Sequence, residues 1–204
     1  MTLEAKKEQL IRTEWELFQN VQNEGGRAAC QDDPETFFLM RRSQFAPWPE
    51  ELVDSYRKDL DRAAAQGRNP LAEKYAWMME RTSPRQFAAL RSRLPETSDE
   101  ALEEIRQIVP IQLAWMAEYR QKYPVLASGN RALSSSQDTE EDTSFETYLQ
   151  GELKTYSLPT LRRYHRFLNQ LRQEGKNLTL LIMTATVRAY GYASLEEAER
   201  RLRG

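Results

Sequence analysis

Residues 3–22 read LEAKKEQLIRTEWELFQNVQ, and the spacing of the apolar residues in that stretch decides the fold. Leu10, Ile11, Trp15, Leu17, Phe18 and Val21 return at three- and four-residue steps, the period of a helix with one face toward a core. Gly25-Gly26 stops this helix, and Asp33-Pro34 opens the next as N-cap and first helical residue. The second helix carries Phe37, Phe38, Met40 and Phe45 and ends before Pro47. Pro49 starts a third, which ends at Gly67. Asn69-Pro70 and Ser83-Pro84 cap a fourth and a short fifth.

The same punctuation continues to the C-terminus. Thr97 with Glu100 forms a capping box for a long sixth helix reaching about Gln121, with a kink expected at Pro110. Residues from about Pro124 to Asp142 make the one clear loop. Its segment 126–142 includes the acidic run SSSQDTEED and is expected to be mobile. Thr143 with Glu146 opens a seventh helix reaching Ser157, the eighth follows Pro159, and Ser194 with Glu197 boxes the last. The ninth, Asn177 to Tyr190, is apolar on nearly every side and is expected to be central. The expectation is therefore an all-α fold: a single irregular bundle of nine to ten helices around a central apolar helix, with residues 1–204 as one domain.

Composition narrows the functions. With 40 % hydrophobic residues in 204, the chain can bury a core. A net charge of −2 argues against a nucleic-acid binder acting through a broad basic face, and Arg162, Arg163 and Arg166 read as a solvated helix side. The single Cys30 excludes an internal disulfide and points to a reducing, cytoplasmic setting; with the single His165 it leaves too few ligands for the usual zinc sites. MTLEAKKEQL lacks the apolar core of a secretory signal, and Leu178–Ala185 is too short to span a bilayer, so no membrane role is expected.

The informative residues are polar ones on apolar faces. Glu14 falls between Leu10, Leu17 and Phe18, where an unpaired carboxylate is costly to bury. Glu152 falls among Phe145, Tyr148, Leu149, Leu153 and Tyr156, with the Tyr148 and Tyr156 phenols one turn away on either side. Arg41, between Phe37 and Phe45, is the expected cationic partner, and Gln112 lies among Ile105, Val109 and Met116. Such pairs also serve simply to lock helices together. Gly151 permits close approach of a backbone or a ligand. The segment NEGGRAACQDDP, residues 23–34, offers Asn23, Glu24, Arg27, Gln31 and Asp32 as ligand-binding groups, with Asp33 read as a helix cap. Asp32 and Asp33 are oxygen donors suited to Mg²⁺, but no metal set and no cofactor is defined. Glu73 and Glu80 are expected to face solvent, and Cys30 is expected to be a small buried residue.

Several stretches resemble the bacterial domain-of-unknown-function family 4125: NEGGRAACQDD (23–33), RRSQFAPWP (41–49), SFETYLQGEL (144–153), EGKNLTLLIM (174–183) and YGYASLEEAE (190–199). The resemblance implies a bacterial, stand-alone helical protein and assigns no role to any residue. From the residues themselves, the first expectation is a small-molecule-binding protein or enzyme. Glu14, Glu152, Tyr148 and Tyr156 would carry acid–base chemistry; Arg27 or Arg41 would clamp an anionic or polar ligand under the 23–33 segment. The alternative is a non-catalytic interaction or regulatory module using the long helix and the acidic loop. A nucleic-acid role ranks last, since no stacking motif accompanies the arginines.

Overall fold

Short polar side chains set most of the helix starts. Asp33, Asn69, Ser98, Ser144, Ser157, Asn177 and Ser194 each accept a backbone N–H from the first turn that follows, satisfying donors a helix otherwise leaves open. The computed structural model describes residues 1–22 and 26–203 and, among them, contains ten α-helices and no strand. These are α1 (Leu3–Gln19), α2 (Pro34–Phe45), α3 (Glu50–Ala65), α4 (Pro70–Thr82), α5 (Pro84–Leu90), α6 (Asp99–Lys122), α7 (Phe145–Leu153), α8 (Leu158–Gln173), α9 (Leu178–Ala189) and α10 (Leu195–Leu202). The all-α, multi-helix reading is correct. None of the described helices is long and apolar enough to cross a membrane.

Two caps sit one residue later than the capping boxes predict. Ser98, not Thr97, receives the Ala101 N–H, and Ser144, not Thr143, receives that of Thr147. Where two hydroxyl residues are adjacent, either can cap. Choosing Ser144 frees the Glu146 carboxylate to accept from the Ser135 N–H at 2.7 Å. α1 ends at Gln19, earlier than Gln22, and α7 ends at Leu153, with Ser157 capping α8 instead of closing α7. α6 continues unbroken through Pro110. Gly67 and Gly175 take φ of +66° just past α3 and α8, the left-handed turn that closes a helix end.

The main core joins α1, α3, α6, α7 and α8 through Leu10, Ile11, Leu52, Leu60, Ile108, Leu153, Leu161 and Leu168, all essentially inaccessible. A second, smaller cluster forms where Tyr119 and Tyr123 meet Val187, Leu195 and Ala198. α9 stands between the two. Leu178, Leu181 and Ile182 face the first cluster, while Leu180, Met183 and Val187 face the second. That double duty accounts for its all-round apolar composition. It is not enclosed, however: residues 180–185 are only half-buried, so the helices at the centre of the main core are the amphipathic ones. The acidic segment is tied to the start of α7. Asp138 accepts from the Ser144 N–H at 2.6 Å and from the Thr147 hydroxyl at 2.5 Å, and the Phe145 N–H donates to the Ala132 carbonyl at 2.8 Å.

Candidate functional site

The bundle brings α1, α2, α4 and α7 together around a line of charges. Glu14, with no exposed surface, projects from the apolar face of α1. From α2, Arg41 grips it with a two-pronged contact, Nε to Oε2 at 2.6 Å and Nη2 to Oε1. The Tyr56 hydroxyl of α3 donates to Oε1 at 2.8 Å. Arg41 Nη1 also donates to Gln44 Oε1 at 2.5 Å, and Gln44 Nε2 donates to Glu152 Oε1 at 3.1 Å. Glu152, on α7, accepts from Lys74 Nζ at 2.9 Å and from the Tyr156 hydroxyl at 3.0 Å. Glu14 and Glu152 thus belong to one hydrogen-bonded chain, each beside its own cation and joined through Arg41 and Gln44.

Glu152, Lys74 and Arg41 are held in their ionised forms. Burial pushes the Glu152 carboxyl up, but the charges of Lys74 and Arg41 and the hydrogen bonds from Lys74 and Tyr156 outweigh it and hold its pKa at about 2. Burial works against the Lys74 ammonium, yet the charges of Glu152 and the Tyr148 phenol carry its pKa well above the usual lysine value. Arg41 is likewise raised, burial being overcome by Glu14. Tyr56 and Tyr156 are pushed up by burial and by the neighbouring carboxylates, so both remain hydrogen-bond donors.

Not every predicted residue enters the site as expected. Tyr156 bonds Glu152, but Tyr148 meets the site with its ring face, 3.6 Å from Lys74 Nζ and 5.2 Å from the Arg131 guanidinium carbon. Gln112 is one ring removed. It interacts with Tyr164, whose ring lies edge-on to Tyr156 with centroids 6.3 Å apart. Gln31 is not displayed to a ligand. It is buried, and its amide donates to the Phe18 and Val21 carbonyls at 2.9 and 3.0 Å, closing the end of α1. Arg27 binds Asp32 at 2.7 Å and the Gln31 carbonyl at 2.8 Å in an exposed brace over the same helix end. Asn23 and Glu24 lie outside the described residues. Asp33 caps α2 as expected. Cys30 is exposed, not buried. Glu73, expected in solvent, is buried against Arg68 at 2.7 Å.

Three members of the chain were missed: Lys74, Gln44 and Tyr56. Lys74 lies one turn after Pro70 and one turn before Trp77 and Met78, all buried. These apolar neighbours on both sides are the same signal that marks Glu14.

The site is not sealed. Arg41, Gln44, Tyr75 and Tyr148 are half-buried and form its outer rim, while Glu14, Glu152, Tyr56 and Tyr156 lie behind them. Two hollows lie elsewhere and are lined by other residues: one of about 320 Å³ between α4 and α7, and a groove of about 1040 Å³ between α1, α2 and α9. Fold and site together define an all-α bundle with a buried, internally balanced ionic centre. The chain belongs to the family described as Protein of unknown function (DUF4125), whose model matches residues 5–200. No curated protein and no solved structure matches it.

Proposed function

We propose that this protein binds a small anionic molecule at the half-buried rim of the ionic centre, with Arg41 at the rim and the buried Lys74 as the recognising cations. The observation that carries the reading is a surplus of donors. A guanidinium has five N–H groups and an ammonium three. The contacts described use three on Arg41 and one on Lys74. Glu14 and Glu152 then act as buried counterions that hold the cations in place, a role that second-layer carboxylates fill in preorganised sites. A carboxyl near 2 has no proton to give at neutral pH, and a general acid works best with a pKa near the operating pH. Binding, rather than proton transfer by Glu152, is therefore the chemistry assigned.

A second reading draws on the α1–α2–α9 groove, whose floor of Ile11, Phe38, Leu39, Ala185 and Ala189 suits a non-catalytic interaction module. Calorimetric titration with succinate, citrate and 3-phosphoglycerate separates the two. At least one should bind the native protein. Arg41→Lys keeps the charge but loses the fork, and affinity should fall about tenfold or more. Lys74→Met with Glu152→Gln removes one cation and its counterion together and should weaken binding as much while the fold is kept. Unchanged affinity in both variants, or no binding by any of the three anions, would refute the first reading and favour the groove.

A further inference from the structure

The cavity between α4 and α7 is built from Trp77, Glu80, Arg81, Thr147, Gln150, Gly151 and Lys154, and none of these belongs to the ionic centre. Gly151 sets its edge. A Cβ there would stand 2.9 Å from both the Lys74 carbonyl oxygen and Met78 Cγ, so only glycine lets α7 approach α4 this closely at the cavity edge. The wall is Trp77, 95 % shielded from solvent, whose indole N–H is buried and makes no hydrogen bond. Lys154 Nζ lies 4.4 Å from the Trp77 ring centre and pairs with Glu80, and the Arg91 guanidinium carbon lies 5.0 Å from the same ring.

Two cations, Arg81 and Lys154, line the cavity beside one carboxylate, Glu80, and Lys154 is paired with it. Arg81 makes no ion pair among the described residues. Its charge acts on Asp138, which is already committed to the Ser144 N–H and the Thr147 hydroxyl. Among the described residues, the Gln150 amide makes one long contact, 3.4 Å to Glu146. A volume of about 320 Å³ lies at the small end of the range for small-molecule sites. We infer that this cavity is a separate site for a small organic oxyanion, its charged head on Arg81 and Lys154, its remaining oxygens on Gln150, and its body against the Trp77 wall. Binding would draw Lys154 partly from Glu80, because both anions compete for one ammonium.

The test follows the Trp77 indole N–H by ¹H–¹⁵N NMR, its peak identified by its loss in Trp77→Phe. The probes are phenyl phosphate and benzoate, which share a ring and differ in the head group. One or both should move the peak saturably, and the stronger of the two names the head group. Arg81→Met should weaken that titration about tenfold or more. Glu80→Gln, which removes the competitor, should strengthen it. Lys74→Met with Glu152→Gln should leave it within about twofold, which separates this site from the ionic centre. A Trp77 peak that neither probe moves, a titration unchanged in Arg81→Met, or one lost in the Lys74 and Glu152 pair variant would each overturn the inference.

Discussion

Lys74 and Glu152 show what a single side chain does here. Neither can be removed alone without leaving its partner charged and buried, a change that typically costs about 3–5 kcal/mol. Lys74→Met should therefore lower stability to urea by about that amount. The double change with Glu152→Gln should recover most of the loss, because replacing a buried pair with neutral groups of similar volume is often close to neutral. Urea unfolding of the two singles and the double measures this directly; additive losses would show that the pair is not coupled. The sequence revealed Glu14, Arg41 and Glu152 for the same reason that they are costly: each has apolar neighbours one turn away on both sides. It did not reveal Gln44, because an amide at the edge of an apolar face is unremarkable until two charged groups are known to flank it. Tyr148 was placed correctly but assigned the wrong edge, since spacing along a helix says nothing of whether a phenol presents its hydroxyl or its ring.

At the level of the helices, the α4–α7 contact is the most sensitive. Alanine is normally better than glycine inside a helix by about 1 kcal/mol. At position 151 that gain is opposed by the Lys74 carbonyl, which belongs to the backbone of α4 and cannot swing away. Gly151→Ala should destabilise by about 1–3 kcal/mol, the usual cost of overpacking, read as a lower melting temperature; a rise would mean that α4 and α7 separate freely. Helix existence was legible throughout because Ser, Asn, Asp and Pro mark the starts. Exact starts failed at Thr97-Ser98 and Thr143-Ser144, where adjacent hydroxyls compete, and at α8, which begins at Leu158 ahead of Pro159. α9 was read as central from composition alone. An apolar surface on all sides is equally what a helix needs when it lies between two cores.

For the molecule as a whole, the charges define a pH window. Glu152 has its pKa lowered in the folded state from 4.5 to about 2, and Glu8 is lowered by its hydrogen bonds from Arg42. A lowered carboxyl stabilises the fold above its unfolded value and loses that contribution as pH falls through the folded value. Stability should therefore decline from about pH 4.5 toward 2. On the alkaline side, Tyr56 and Tyr156 are raised above 10.0 by burial and by the carboxylates. Their contribution is complete below pH 10.0 and is lost above it, so denaturant midpoints should fall again there. The sequence foreshadowed this balance in its even charge count, but not its location, because pairing across α1, α2, α4 and α7 is a property of the packed bundle. Everything assigned to the ionic centre requires Glu152 to be a permanent counterion. Its own carboxyl ¹³C resonance, identified by loss in Glu152→Gln and followed through an acid titration of the native protein, reports this directly. A midpoint near 2, with no change across the neutral range, is the predicted result; a midpoint at or above the ordinary 4.5 would contradict it.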